Sequence, residues 1–447
     1  MILIARGIIW YGLYFFLIIL PLATAAVVDP NRISQPLLVE IAVGAGFVGF
    51  TLMALEFALI SRINAAAEPF GEDALQLFHN SMGIVALLFV LAHPILLIVA
   101  GFPARCWLNP FASCANISTQ TAVLSIIILL LLIGSTIWRK QLRIKYEHWQ
   151  FFHGIFSLIV IFAALVHIFM IGRYTSTPSL QGLWIIYAVL VLGLISWFKI
   201  WLPFKSLKRP WAVVENRVER GDTRTLVLEP VNHMGFSFQS GQFAWIKSGK
   251  TPFGSGQHPI SLSTSGDIEP GGNIQFTIKN LGDWSGAEVQ ALKPGDRVWV
   301  DGPYGVFSLD RKPAMGYVFI AGGVGITPLY SMMCAMVERE DVRPVYLFYG
   351  AADSENMMLK EEIEALIASA EHLNMVFVPV LSRPEAGWQG ETGYINAEIM
   401  KRYIPRQYKW YKYLICGPKL LMDAMEESLP VLGIPPENVL SERFDMI

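Results

Sequence analysis

Charge is scarce in this chain. Asp, Glu, Lys and Arg together make up 16% of its 447 residues, and the net charge is −2. No block of basic residues stands outside the short stretches that flank its apolar runs, which argues against nucleic acid as a partner. Cysteine is scarcer still, with four residues. They form no closely spaced cluster, so the four-thiolate ligation of common iron–sulfur centres is excluded. Two of them, Cys106 and Cys114, fall between two apolar runs, while Cys334 and Cys416 lie far downstream.

What the chain has instead is apolar length, unevenly spread. Hydrophobic residues make up 53% of the total. Up to Arg209 the sequence is dominated by runs of about twenty apolar residues, the length a bilayer requires; from Pro210 charged residues and turn signals return at globular density. Six spans are expected, at about 7–28, 38–61, 75–101, 120–138, 149–171 and 182–203. The first ends in Leu-Ala-Thr-Ala-Ala and resembles a cleavable leader, but its apolar run is long for one. Basic residues gather after alternate spans: Arg62; then Arg139, Lys140, Arg143 and Lys145; then Lys205, Lys208 and Arg209. The positive-inside rule makes those stretches cytoplasmic, so both termini and the soluble half are expected in the cytoplasm of a multi-pass cell-membrane protein. The loop holding Cys106 and Cys114 is then extracytoplasmic, where a disulfide forms and persists.

Two of the spans carry paired histidines. One reads FHNSMGIVALLFVLAH with His79 and His93, the other FFHGIFSLIVIFAALVH with His153 and His167. Both pairs are separated by the same interval, since 93 − 79 = 14 and 167 − 153 = 14. Fourteen residues is nearly four helical turns, which sets both histidines on one face about 21 Å apart along the axis. Two such helices side by side offer two facing His–His pairs, each able to hold a haem iron from both sides. The plainer reading is four packed polar groups facing the bundle interior. The duplicated spacing favours haem, with His79 and His153 near the cytoplasmic side and His93 and His167 near the other. His148 breaks the spacing and reads as an interfacial residue. Arg173, past the outer end of the fifth span, is placed either to neutralise a haem propionate or to anchor the interface.

In the soluble half, the stretch from Trp211 to about Gly305 shows short β-branched runs broken by Gly and Pro, the pattern of a small antiparallel barrel. Within it, His258-Pro259-Ile260-Ser261 and Gly282-Asp283-Trp284-Ser285 offer hydroxyls, backbone N–H groups and an aromatic wall. From Met315 strands alternate with helices, the pattern of a parallel sheet that binds ligands at the carboxyl ends of its strands. The turn Gly322-Gly323-Val324-Gly325-Ile326-Thr327-Pro328 follows an apolar strand and opens a helix, so its backbone can approach a pyrophosphate. It is not the common dinucleotide fingerprint, because Pro328 stands where the third glycine would be.

The barrel motif, the glycine turn, Cys416-Gly417-Pro418 and the near-terminal Phe444 occur in one order that resembles the ferredoxin-NADP reductase superfamily. Joined to six spans with duplicated histidine pairs, the whole chain resembles the ferric reductase and NADPH oxidase family, most of all its single-chain bacterial members. The resemblance implies a multi-domain fold: a six-helix transmembrane haem-binding bundle over residues 1–209, an antiparallel β-barrel FAD domain over 210–312, and an α/β parallel-sheet NAD(P)H-binding domain over 313–447. It implies an oxidoreductase that moves electrons from cytoplasmic NAD(P)H through FAD and two b haems to an acceptor outside, O2 giving superoxide or ferric iron. A haem-binding subunit that serves a separate extracytoplasmic reductase is the alternative; no obligate protein partner is evident.

Residue by residue, the resemblance makes His258, Pro259, Ile260 and Ser261 the flavin motif, with Ile260 in place of the usual aromatic. Thr277, Lys279, Gly282, Trp284 and Ser285 belong to the flavin-binding and pyrophosphate-binding stretch. Gly322, Gly323, Val324, Gly325, Ile326, Thr327, Pro328, Cys416, Gly417 and Pro418 match the nicotinamide nucleotide site. Ser261, Cys416 and Phe444 are the expected catalytic residues, with Phe444 shielding the flavin ring although Asp445, Met446 and Ile447 follow it. Nucleotide preference is open: Asp353 and Glu355 would repel a 2′-phosphate and Arg383 would bind one, so tolerance of NADH and NADPH is expected.

Overall fold

The computed structural model describes residues 2–28, 35–109, 112–172, 174–311, 314–405 and 407–443. Among these are six helices long and apolar enough to cross a membrane, Leu3–Val27, Leu37–Leu59, Glu72–Val99, Ile117–Ile137, Tyr146–Ile171 and Pro178–Leu207. Each expected span is present, shifted by a few residues at its ends. The apolar surface of the bundle faces outward: Ile8, Phe16, Leu88, Phe162 and Ile186 are all exposed, as side chains meeting lipid should be. Its packed centre is built on the second span, where Phe47 and Phe50 meet the ring of Trp184 edge-on at 5.2 and 5.4 Å. Tyr187 satisfies its hydroxyl by donating to the carbonyl of Leu17 at 2.5 Å. The cysteines of the loop between the third and fourth spans form a disulfide, Cys106–Cys114, with Cα atoms 5.5 Å apart.

The chain divides into two compact units, one comprising residues 1–70, 74–202 and 253–255 and the other residues 71–73, 203–252 and 256–447. The second unit holds both sheets. Strands β1 (Trp211–Glu219), β2 (Thr223–Pro230), β3 (Phe243–Ser248), β4 (His258–Ser261), β5 (Ile274–Lys279) and β6 (Arg297–Tyr304) form an antiparallel sheet in the order β4-β3-β6-β1-β2-β5. Its two ends meet through a bridge between Leu262 and Phe276, which closes it into the expected barrel. Alternate residues of each strand fill the interior, among them Leu226, Leu228, Ile246 and Phe276, none of them exposed.

Strands β7 (Tyr317–Gly322), β8 (Val345–Ala351), β9 (Met375–Leu381), β10 (Glu391–Thr392), β11 (Lys412–Gly417) and β12 (Val439–Arg443) form a parallel sheet in the order β10-β9-β8-β7-β11-β12. Every residue of β7 is buried, as expected of a central strand covered on both faces. The chain leaves β7 toward β8, β9 and β10, then returns to pair β11 on its other side. That reversal creates a crevice at the carboxyl end of β7, the place where such sheets bind ligands. The two sheets are tied by Arg339 at the end of the helix Ile326–Glu338, which donates to Asp267 of the barrel at 2.5 and 3.1 Å and to Asp310 at 2.6 and 3.1 Å.

Candidate functional site

In the membrane unit the four histidines come together as two pairs. The rings of His79 and His153 have centroids 6.5 Å apart, and those of His93 and His167 are 6.2 Å apart. Two imidazoles gripping one metal from opposite sides, with metal–nitrogen bonds of about 2.0–2.1 Å, have ring centres about 6.3–6.5 Å apart, slightly less when the rings tilt. Both pairs therefore fit a bis-histidine haem. Among the described residues no group of three or more His, Cys, Asp or Glu gathers to hold an ion; axial haem ligation asks for two.

A ligating imidazole normally has its other nitrogen held by a partner that fixes the ring. All four do. The Nδ1 of His93 donates to the carbonyl of Ala42 at 2.8 Å. That of His167 lies 2.9 Å from the carbonyl and 3.0 Å from the hydroxyl of Ser118. His153 Nδ1 is 3.4 Å from Thr136 Oγ1, and His79 Nδ1 abuts the carboxylate of Glu56. The second span thus holds the histidines of the third, and the fourth holds those of the fifth. With Nδ1 taken, Nε2 is the nitrogen left to each ring for ligation. Glycine makes the first approach possible, because a Cβ on Gly46 would lie 3.0 Å from His93 Nδ1 and one on Gly49 would lie 2.8 Å from Val90. His148 is exposed, in keeping with an interfacial role. Arg173 falls outside the described residues.

In the barrel, Ser261 ends β4. It is 3% exposed, and its hydroxyl has no hydrogen-bond partner among the described residues. A buried polar group in that condition is costly unless a ligand satisfies it. His258 opens β4 and stacks on Trp284, ring centroids 4.2 Å apart; burial pulls its pKa down to about 4, so it is neutral at physiological pH. Trp284 itself lies inside the barrel, donating to Ser248 Oγ at 2.9 Å. Its indole supports β4 from within the barrel. Thr277 is buried on the opposite face of β5 from the interior Phe276, its hydroxyl shared between Thr225 at 3.0 Å and Ser263 at 3.1 Å. Ser285 accepts from the backbone N–H of Leu281 and Gly282 at 2.9 and 3.1 Å, which shapes the exposed turn after Lys279. Pro259 and Ile260 pair with Trp245 and Ala244 of β3 and are half-buried.

At the carboxyl end of β7 the glycine turn meets the turn after β11. A Cβ on Gly325 would overlap the Cys416 carbonyl, and one on Gly322 would come 2.9 Å from Pro418 and Leu421. Gly323 turns the chain with a φ of +52°, a conformation that costs glycine least. Val324 is half-buried while Ile326, Thr327 and Pro328 are buried, and Thr327 donates to the Val324 carbonyl at 2.9 Å, opening the helix. The expected nucleotide residues from Gly322 to Pro328 and from Cys416 to Pro418 are thus brought to one place. Cys416 is fully buried, and burial raises its thiol well above the ordinary value, so it is a neutral thiol rather than a thiolate.

Sequence reasoning missed Glu442. Parallel pairing of β11 with β12 sets Glu442 directly beside Cys416. It is 7% exposed, its Oε2 has no hydrogen-bond partner among the described residues, and burial raises its carboxyl well above the usual range. Gly305, at φ +90°, connects this corner to the flavin motif, since a Cβ there would lie 3.0 Å from the Phe243 ring and 3.4 Å from Glu442 Oε1. Phe243 is the strand partner of Ser261. Phe444 lies outside the described residues.

A family model described as the ferric reductase like transmembrane component matches residues 45–164, and one described as the oxidoreductase NAD-binding domain matches residues 319–427. The chain joins a ferric-reductase-like transmembrane domain to a ferredoxin-reductase-like FAD/NAD-binding domain. The transmembrane match spans His79, His93 and His153; the NAD-binding match spans the glycine turn and Cys416. NADH-cytochrome b5 reductase 2 of Scheffersomyces stipitis is 31% identical over 189 residues, covering 39% of this chain and 63% of that protein. The reductase component of propane 2-monooxygenase from Rhodococcus jostii is 29% identical over 230 residues, covering 50% of this chain and 60% of that protein. The ferric-reductase-like chain therefore spans less than two thirds of the length of these curated relatives. Among solved structures, a flavohemoglobin from Malassezia yamatoensis aligns with TM-score 0.50 and 17% identity over 96% of this chain and 97% of that one, a likeness of fold alone.

Proposed function

We propose that this membrane oxidoreductase takes electrons from NAD(P)H on one side of the bilayer and delivers them to an acceptor on the other, either O2, giving superoxide, or ferric iron. The observation that carries the reading is the doubled histidine arrangement, with ring centroids 6.5 and 6.2 Å apart and an Nδ1 partner for all four rings. On this reading His79 with His153 and His93 with His167 hold two b haems at two depths of the membrane. Bound flavin would accept a hydride from the nicotinamide and release its electrons singly to bound haem.

The protein's own part is to hold and orient. The Ser261 hydroxyl, buried and without a partner among the described residues, donates to or accepts from the flavin ring, while Lys279 and the turn from Gly282 to Ser285 carry its phosphates. The N–H groups of the turn after β7 face the nucleotide pyrophosphate at a helix N-terminus. Cys416 supplies an uncharged wall beside the reacting carbon, and Glu442, kept protonated by burial, holds a proton next to it. Asp353 is engaged by Asn356 at 2.7 Å and by the exposed Arg383 at 3.4 Å. One carboxylate and one guanidinium thus share the end of β8, in keeping with use of both NADH and NADPH.

The basic clusters after alternate spans support a cytoplasmic soluble half. The disulfide between Cys106 and Cys114 supports an oxidising environment for the opposite face. The reading is tested by NAD(P)H oxidation with detergent-purified, FAD-supplemented protein, comparing superoxide-dismutase-sensitive dye reduction with reduction of a ferric chelate. Nucleotide oxidation that proceeds with neither acceptor, or not at all in haem-loaded protein, contradicts it.

A further inference from the structure

The four histidines differ in what holds them. For three of them the Nδ1 partner is neutral: the Ala42 carbonyl, the Ser118 carbonyl and hydroxyl, and the Thr136 hydroxyl. For His79 it is a carboxylate, Glu56, which reaches across from the second span. Both groups are largely buried, with side chains 17% and 13% exposed. Glu56 lies in the last turn of the helix Leu37–Leu59, whose other acidic residue, Glu40, is in its first turn. A carboxylate buried to that degree is costly unless a donor or a positive group faces it, and an ionisable residue within a span is a functional candidate by default.

We propose that Glu56 is a positioning residue that sets the haem held by His79 and His153 at a lower reduction potential than the haem held by His93 and His167, so that electron flow across the membrane runs downhill. This rests on the two-haem reading above. A carboxylate that accepts from Nδ1–H makes the imidazole a stronger donor through Nε2, and its charge favours the iron state with the higher positive charge. Low dielectric around the spans strengthens that effect, and the partners of His93 and His167 carry no charge to oppose it. The step being tuned is a one-electron exchange, ferric to ferrous, in which no bond forms or breaks. The electron comes from NAD(P)H and leaves to the acceptor. The basic stretches after the second and fourth spans lie at the His79 and His153 end of the third and fifth, so the lower potential belongs to the end where electrons enter.

The test is haem quantitation together with an optical redox titration of the purified full-length protein. Wild type should hold two haems and titrate in two one-electron waves. His167→Ala, which spares the His79 and His153 pair, should keep the lower wave. Glu56→Gln should keep two haems and move the lower wave upward by about tenfold in the equilibrium constant, 59 mV for one electron, while Glu56→Asp, which keeps the charge, leaves it low. Two haems with unmoved waves in Glu56→Gln overturn the proposal, as does His167→Ala retaining the higher wave. If Glu56→Gln loses its haem, Glu56→Asp carries the test: with both haems bound, a lower wave that moves up as far as about 59 mV although the charge is kept overturns the proposal. A wild-type protein with no haem overturns the two-haem reading itself, a result distinct from unmoved potentials.

Discussion

Gly46→Ala is a one-methyl change whose consequence follows from measured gaps. The new Cβ would lie 3.0 Å from His93 Nδ1, 3.2 Å from its Cγ and 3.3 Å from its Cε1, where comfortable contacts begin at about 3.5 Å. The ring must yield by about 0.5 Å. Its freedom to do so is limited, because Nδ1 is fixed at 2.8 Å from the Ala42 carbonyl one turn earlier on the same helix. Overpacking of this kind costs about 1–3 kcal/mol, and loss of the hydrogen bond adds about 1 kcal/mol. A site that pays about 2–4 kcal/mol binds its ligand roughly 30- to 1,000-fold more weakly. The expected outcome is a protein that keeps the haem of His79 and His153 and is depleted in the other. Gly83→Ala is the control, since it lies on the same span as His93 and a Cβ there meets nothing within 4 Å; it should keep both haems, with helix propensity gained. Haem content per polypeptide, with the low-spin absorption spectrum, reads the result. If Gly46→Ala matches Gly83→Ala in content and spectrum, the seating of His93 on Gly46 is wrong.

Three further outcomes follow. Ser261→Ala removes a buried hydroxyl that lacks a partner among the described residues; stability without flavin should hold or rise slightly, while flavin reduction by NADH slows tenfold or more, about 1.4 kcal/mol of barrier, in stopped flow. An unchanged rate would remove Ser261 from the site. His258 has its folded pKa depressed to about 4 from 6.5 by burial, so the unfolded chain protonates first as pH falls. Stability should therefore decline between about pH 6.5 and 4, by up to about 3 kcal/mol, and His258→Asn should flatten that stretch of the denaturation profile. In unreduced protein Cys106 and Cys114 should resist alkylation until a reductant is added, and mass mapping that finds both labelled beforehand rejects the disulfide.

The features visible in the sequence were those with a short period. Histidines fourteen apart on two apolar runs, alternating strands broken by glycine, and a glycine turn at a strand end each announce themselves within one element. Glu56 also had a local signal, an acidic residue within an apolar span, but its partner lies on another helix. Gly46 had none, because its meaning comes from how closely the second and third spans pack. Glu442 is significant only through register: twenty-six residues separate it from Cys416, and the parallel pairing of β11 with β12 alone sets them side by side. Trp284 and Thr277 show the opposite limit. Both stand in the stretch that matches a flavin-binding motif, yet the turn of the chain sends Trp284 into the barrel, while Thr277, on the opposite face of β5 from Phe276, is tied to Thr225 and Ser263.

The central claim is that electrons cross the membrane, and reconstitution measures this directly. Full-length protein in sealed proteoliposomes, oriented with the soluble half outward and loaded inside with a membrane-impermeant ferric chelate, is given NADH in the outer solution. The account predicts reduction of the trapped chelate in proportion to haem content, abolished in His93→Ala while the flavin still bleaches. Chelate reduction only when it shares a compartment with NADH would contradict it.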